Sequence, residues 1–242
     1  MNIKHFFAVK STKTKKEDEK LNKADTLGHK EPIGHEEPTD DPDEPIDKPK
    51  FMIGKYNLYN MILKKQKKNY QVFVKYFGKP DKIRFKLSWL KSPFGVEQYA
   101  HKEIVNLEFI NHLKNNLSHN NYTIFKQLDE MLSKLNTKAP EIDNFLYLTT
   151  DQLNSLNGLY YSPLIKQRPN DFDPLVRLHL KKVKDTIATK CYKKVNDKLE
   201  EISVFEIKGH MVEVELELSS LWVSNDSFGV VIVINKIIVL GN

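Results

Sequence analysis

The clearest pattern along the chain is alternation. YQVFVKYF at 70–77 and KIRFKLSWL at 82–90 switch between apolar and polar residues with a period of two, which in a strand sends successive side chains to opposite faces. The Gly and Pro of the intervening GKPD predict a turn between two strands. In the second strand Ile83, Phe85, Leu87 and Trp89 share one face, and Lys82, Arg84, Lys86 and Ser88 share the other. One side therefore reads as core and the other as a basic stripe. After the loop KSPFGVEQYAHK, EIVNLEF predicts a third strand. The period then changes. In NYTIFKQLDEMLSKLNT the residues Ile124, Phe125, Leu128, Met131, Leu132 and Leu135 recur at helical spacing, which predicts an amphipathic helix, and EIDNFLYLTTDQLNSL carries a weaker helical signal. LVRLHLKKV returns to strand, with Val176, Leu178 and Leu180 alternating with Arg177, His179 and Lys181. The last two strands are MVEVELELSSLWV and FGVVIVINKIIVL, joined by the turn SNDS. In the first of them Glu213, Glu215 and Glu217 share one face, and Val214, Leu216, Leu218 and Trp222 the other. About seven strands with one or two inserted helices predict a mostly β, α+β architecture, and this number of short strands fits a small closed antiparallel barrel.

Ahead of these segments, Ser11 to Lys50 holds five prolines, many charges and few large apolar residues. Such a stretch cannot bury enough surface to offset its ordering entropy, so it is expected to be disordered. The organisation expected is a terminal motif at 1–10, a charged linker at 11–50 and a folded domain at 51–242. The charge follows this division. Of 38 basic and 32 acidic residues, ten lysines and twelve carboxylates fall in residues 1–50, which leaves 28 against 20 beyond, a net +8 on the folded part. That surplus suits a polyanionic partner without setting specificity. The most apolar run, GVVIVINKIIVL, is too short to span a bilayer and is interrupted by Asn235 and Lys236, so no membrane association is expected. Cys191 is the single cysteine, which excludes an internal disulfide and points to a reducing, intracellular compartment.

A search for catalytic chemistry returns little. His101, His112 and His119 lack the tight spacing of a known metal site, and no cysteine joins them. The row Glu213, Glu215, Glu217 reads as a solvated strand face, and Asp171 with Asp173 in NDFDP as a turn. No phosphate loop, dinucleotide fingerprint or nucleophile elbow is present, so neither enzyme activity nor a cofactor is expected. Binding is better supported, because phosphates need cations and bases need flat apolar surface. Trp89 and Trp222 either stack on bases or pack in the core, and their place on the apolar faces of their strands favours the core. The loops offer Phe94 and Tyr99 in SPFGVEQY and Tyr160 and Tyr161 in GLYYSP, which either stack or pack. The candidate interface is Lys82, Arg84, Lys86, Arg177 and Lys181 on phosphates, Lys91, Lys166 and Arg168 at the groove edge, and Phe94, Tyr99 and Tyr161 on bases.

The succession FKLSWLKSPFGVEQYAHKEIVNLEF, a helical insert, YYSPLIKQRPNDFDPLVRLHLKKV and GHMVEVELELSSLWVSNDSFGVVIVINKIIVL resembles the single-stranded DNA-binding proteins of large eukaryotic DNA viruses and of some bacteriophages. The likeness covers roughly residues 70 to 240, and the Trp strand, short turn, Phe228-Gly229 and last apolar strand carry most of it. It implies an OB-fold-like antiparallel barrel with a helical insertion, a sequence-independent coat on replicating single strands, self-association on DNA, and a nuclear or viral replication compartment. The phage members end in an acidic tail, whereas the acidic block here lies at 31–47. The opening MNIKHFF resembles the sliding-clamp (PCNA) interaction motif, in which an aliphatic residue and two aromatics form one plug on a helical turn. Ile3, Phe6 and Phe7 match those positions, which implies a clamp as partner and the linker as tether. The alternatives are a scaffold subunit of a replication complex that binds no DNA, and a clamp-tethered metal-dependent nuclease using carboxylates such as Asp171 and Asp173.

Overall fold

The alternating segments assemble into a sheet that closes on itself. The structure, a computed structural model, describes residues 52–67, 69–137 and 147–241. The expected terminal motif and linker lie outside these residues. Strands β1 (Met61–Gln66) and β2 (Asn69–Tyr76) form a hairpin. They are followed by β3 (Arg84–Lys91), β4 (Val96–Tyr99), β5 (Lys102–Glu108), helix α1 (Asn116–Ser133) and the short helix α2 (Thr150–Asn154). Then come β6 (Tyr160–Tyr161), β7 (Ile165–Lys166), β8 (Leu175–Leu180), β9 (Lys190–Val195) and β10 (Lys198–Glu201). Two long strands, β11 (Met211–Val223) and β12 (Ser227–Val239), complete the chain. The sheet runs β10-β9-β12-β8-β5-β3-β11-β2-β1, and β11 pairs with β12 as well. That extra pairing joins β12, β8, β5, β3 and β11 into a closed five-stranded ring, an OB-like arrangement in a mostly β, α+β fold. Pairing is antiparallel except where β12 runs parallel to β8, β9 and β6.

The two strands expected on either side of GKPD are joined but not paired along their length. Lys79–Asp81 folds back on β2, while β3 pairs with β11 and touches β5. β2 pairs along its length with β1 and, at its start, with β11.

Bulges in the long strands decide which side chains enter the barrel. Opposite β3, Val212 pairs with Leu90 and Val214 with Leu87, so two residues of β3, Ser88 and Trp89, face the single Glu213. Trp89 takes a left-handed backbone with φ 61° and is 48% exposed, while Leu90 is fully buried in its place. A side chain of this size at positive φ is a marked outlier, and the bulge that forces it also turns the ring outward. A second slip between Leu218 and Ser220 against β12 has the same effect on Trp222, for Leu221 takes the core position and Trp222 is only half-buried. Strict alternation placed both tryptophans inside. Each bulge adds one residue and inverts the face of everything after it.

The core is filled by Phe109, Phe125 and Phe228 with aliphatic residues from every strand of the ring. Helix α1 starts at Asn115, whose side chain accepts from the amides of Leu117 and Ser118 and caps two of the free N–H groups. It buries Phe125, Leu128, Met131 and Leu132, with Phe125 edge-on to Phe109 at 5.7 Å and to Phe85 at 6.3 Å. The weaker helical signal corresponds to α2, held by a capping box of Thr149 and Gln152, and its residues 141–146 lie outside the described ones. Among the described residues no helix is long and apolar enough to cross a membrane.

Candidate nucleic-acid interface

Where β11, β12 and β8 turn their outer faces together, a groove of about 370 Å³ opens. Arg177 and His179 project from β8, because Val176 and Leu178, which alternate with them, are fully buried. The β4–β5 hairpin supplies Tyr99 and Lys102, and the segment from β6 to β7 supplies Ser162, Pro163, Leu164 and Lys166. Trp222 and Val231 form the remaining wall. No carboxylate is among the lining residues. The guanidinium of Arg177 sits 4.1 Å from the centroid of the Tyr99 ring, which is itself 54% exposed. This stacking fixes a cation and a flat aromatic side by side.

Trp222 owes its position to the residue across from it. It pairs with Gly229 on β12, and a Cβ at 229 would lie 2.8 Å from the ring's Cζ2 and 2.9 Å from Cε2. Only glycine leaves room for the indole to lie against the strand there. Burial, with help from Lys102 and Arg177, pushes the His179 imidazole down to about 4, so the ring is neutral at pH 7. Burial and Arg177 likewise lower the Lys166 ammonium, whose Nζ donates to the Pro163 carbonyl at 2.5 Å. The wall carrying Lys166 is held from behind. Asp129 of α1 accepts from Tyr161 Oη at 2.7 Å, from the Leu164 amide at 2.8 Å and from the Ile165 amide at 3.1 Å.

Of the residues expected in the interface, Tyr99, Lys166 and Arg177 line this groove. Tyr161 does not. It is 5% exposed and packs 5.3 Å from the Phe228 ring, and burial next to Asp129 raises its hydroxyl far above the ordinary range. Alternation along β6 leaves its neighbour Tyr160 outside, at 67% exposure, so of the pair only Tyr160 presents a face. The stripe on and beside β3 is charge-paired: Lys82 and Arg84 donate to the two oxygens of Glu217 at 2.7 and 3.1 Å, and Lys86 meets Glu215 at 2.9 Å. The Lys86 ammonium is held above its ordinary value by that hydrogen bond. Burial alone would raise the Glu217 carboxyl, but Lys82 and Arg84 outweigh it and hold it low. Arg168 pairs with Glu108, donates to the Asp173 carbonyl at 2.6 Å and lies over Phe172. Lys181 donates to Asn235 at 3.0 Å at the far end of β8, Lys91 is half-buried opposite Glu108, and Phe94 is exposed on the loop after β3. Ile3, Phe6 and Phe7 lie outside the described residues.

Lys102, His179 and Trp222 also line the groove and are not among the expected interface residues. His179 stands on the basic face of LVRLHLKKV, which is its signal in the sequence; Lys102 has none beyond its charge, and alternation favours the core for Trp222. Asp171 adopts positive φ with Asn170, and Asp173 accepts from the Asn111 amide at 2.7 Å, so NDFDP is a turn tied to the start of the helical insert. Among the described residues no group of three His, Cys, Asp or Glu is placed to hold a metal.

No protein-family model matches this sequence, and no curated protein matches it. Comparison with solved structures finds similarity to the single-stranded DNA-binding protein from bacteriophage Enc34, at 16% identity and a TM-score of 0.39 over 74% of this chain and 88% of that one. Its C-terminal truncation (12% identity, TM-score 0.39, 75% and 94% covered) and the same protein in complex with single-stranded DNA (14%, 0.39, 74% and 94%) are similar as well.

Proposed function

We propose that this protein binds single-stranded DNA in the groove of β8, β11 and β12, as a non-enzymatic coat without strong sequence preference. The observation that carries the reading is the conjunction of two aromatic surfaces, Tyr99 backed by Arg177 and Trp222 backed by Gly229, with Lys102 and Lys166 in one groove free of carboxylates. Bases in a duplex are stacked on one another and cannot offer their faces to such rings, whereas an unpaired strand can. Aromatic faces tolerate any base, so the arrangement favours coverage over sequence reading. Lys82, Arg84 and Lys86 share their charge with Glu215 and Glu217, so the phosphate contacts rest first on Lys102, Lys166 and Arg177.

The role extends to a replication or repair apparatus through MNIKHFF, in which Ile3, Phe6 and Phe7 have the spacing of a clamp-binding plug. A tether of some forty residues raises the effective concentration of one partner for the other. The deciding experiment titrates the protein into labelled oligothymidylate and into duplex of equal length at several salt concentrations. Tight, salt-sensitive binding that favours the single strand is the expected result. Equal affinity for both forms would remove the stacking reading, and no binding at all would leave a scaffold role. Ile3, Phe6 and Phe7 are then replaced together by alanine, with capture by a sliding clamp expected to disappear while oligonucleotide affinity stays unchanged.

A further inference from the structure

The groove ends at β11 and β12, but the face it occupies does not. Val231, which lines the groove, pairs directly with Ser220, Ser220 with Gln71, and Gln71 with Lys64. Directly paired residues point to the same side of a sheet, so this row carries one surface from the groove to the outermost strand β1. Three interstrand spacings of about 4.8 Å put its ends roughly 14 Å apart. Even at the stacked spacing of about 3.4 Å per nucleotide, about four nucleotides cover that distance.

At the far end of the row stands the most cationic stretch of the folded part, KKQKK at 64–68. Among the described residues no carboxylate pairs with Lys64, Lys65 or Lys67, in contrast to Lys82, Arg84 and Lys86, which are all matched on β11. Lys64 stays on the groove's side, 5.1 Å from the Phe73 ring centroid. Lys65, turned to the opposite face by alternation, and the turn residue Lys67 border with Tyr70 an open depression of about 740 Å³. Its one acidic lining residue, Asp226, is engaged by the hydroxyls of Ser224 and Ser227 at 3.0 Å each.

We infer that the β1–β2 hairpin is a second phosphate-binding subsite, which takes the continuation of a single strand seated in the groove. This rests on the groove being a single-strand site, as proposed above. Cross-strand register connects the two subsites, and the hairpin, which holds no carboxylate between Met61 and Tyr76, supplies uncancelled positive charge.

The test compares K64E/K65E/K67E and the charge-neutral K64Q/K65Q/K67Q with the unaltered protein, on oligothymidylates of about three nucleotides, too short to reach from the groove to the hairpin, and about twenty, longer than the footprint of one such barrel. Both variants change exposed hairpin positions, and equal melting temperatures confirm the fold. For the short strand, affinity of the glutamine variant within twofold of the unaltered protein is expected. For the long strand, a loss of about tenfold or more is expected, with the salt dependence less steep by about 2, since each phosphate contact on a single strand contributes about 0.7. An unchanged long-strand affinity and slope would overturn the subsite while leaving the groove intact. An equal loss on both lengths in the glutamine variant would also overturn it, because the lysines would then act only as a diffuse field. If the unaltered protein binds neither length, the groove reading fails and the subsite fails with it.

Discussion

The two tryptophans differ in what lies behind them. Trp89 is pushed out by a bulge onto a strained backbone, whereas Trp222 rests on Gly229, with no Cβ beneath the ring to lift it from the strand. A stacked base is worth about 1–3 kcal/mol. Trp222→Ala is therefore expected to weaken single-strand binding by about tenfold or more, and Trp89→Ala to leave it nearly unchanged, as read by titration. Gly229→Ala should reproduce much of the Trp222 loss by tilting the indole, with the tryptophan emission shifted by the same change. His179 gives a prediction in pH. Its folded value of about 4 lies below the ordinary 6.5, so between these limits the unfolded chain binds more protons than the native one. Stability is accordingly full above about pH 6.5 and falls as pH drops toward 4. Thermal melts across that range should show the fall, and His179→Gln should flatten it. A bound polyanion opposes the effect by favouring the imidazolium, so affinity should rise as pH falls toward 5 in the unaltered protein more than in His179→Gln.

Among the elements, helix α1 braces the groove as well as filling the barrel. Its buried face supplies Phe125 and Leu128 to the core, while Asp129, one position along, reaches the β6–β7 segment through three hydrogen bonds. Burial raises the Asp129 carboxyl even though each of those donors favours the ionised form. The carboxylate is the shared acceptor that fixes the wall carrying Lys166. Asp129→Asn substitutes an amide whose nitrogen cannot accept, leaving at least one donor unmatched at a cost of about 1–3 kcal/mol. A lower melting temperature is expected. Weaker oligonucleotide binding should accompany it, and in a double-mutant cycle the loss should be non-additive with Lys166→Ala. Additive losses would separate the helix from the groove. The pairing of β3 with β11 illustrates the opposite use of charge. Glu217 is almost fully buried between Lys82 and Arg84, so the stripe that reads as basic in one strand is balanced by its neighbour.

For the molecule as a whole, the net +8 of residues 51 onward is unevenly available. Lys82, Arg84 and Lys86 are matched by β11, Arg168 is matched by Glu108, and Lys182 by Glu103, while the groove keeps Lys102, Lys166 and Arg177. Three phosphate contacts at about 0.7 each predict a slope near −2 for the logarithm of affinity against that of salt on a strand short enough to fill only the groove. A much steeper slope would mean that the paired lysines open and take part. Closure of the ring by β11 and β12 makes this sorting possible, since it sets these consecutive strands beside β8 on one surface.

The chain's own order of residues was sufficient for the kinds of element, the amphipathic helix, the mostly β class and the basic surplus, because each depends on a local period or a count. It also marked Tyr99, Lys166 and Arg177, which needed only a loop or a clean strand face to be legible. Which tryptophan faces the groove, that Tyr161 belongs to the core, and that Lys82, Arg84 and Lys86 are neutralised were decided by tertiary structure. In each case a neighbour outside the strand decides. Alternation assumes an uninterrupted strand, yet one inserted residue inverts it, as the slip against the hairpin partner β12 does for Trp222; Tyr161 is held in the core by Phe228 and Asp129, and the carboxylates opposite Lys82, Arg84 and Lys86 come from a strand more than a hundred residues away.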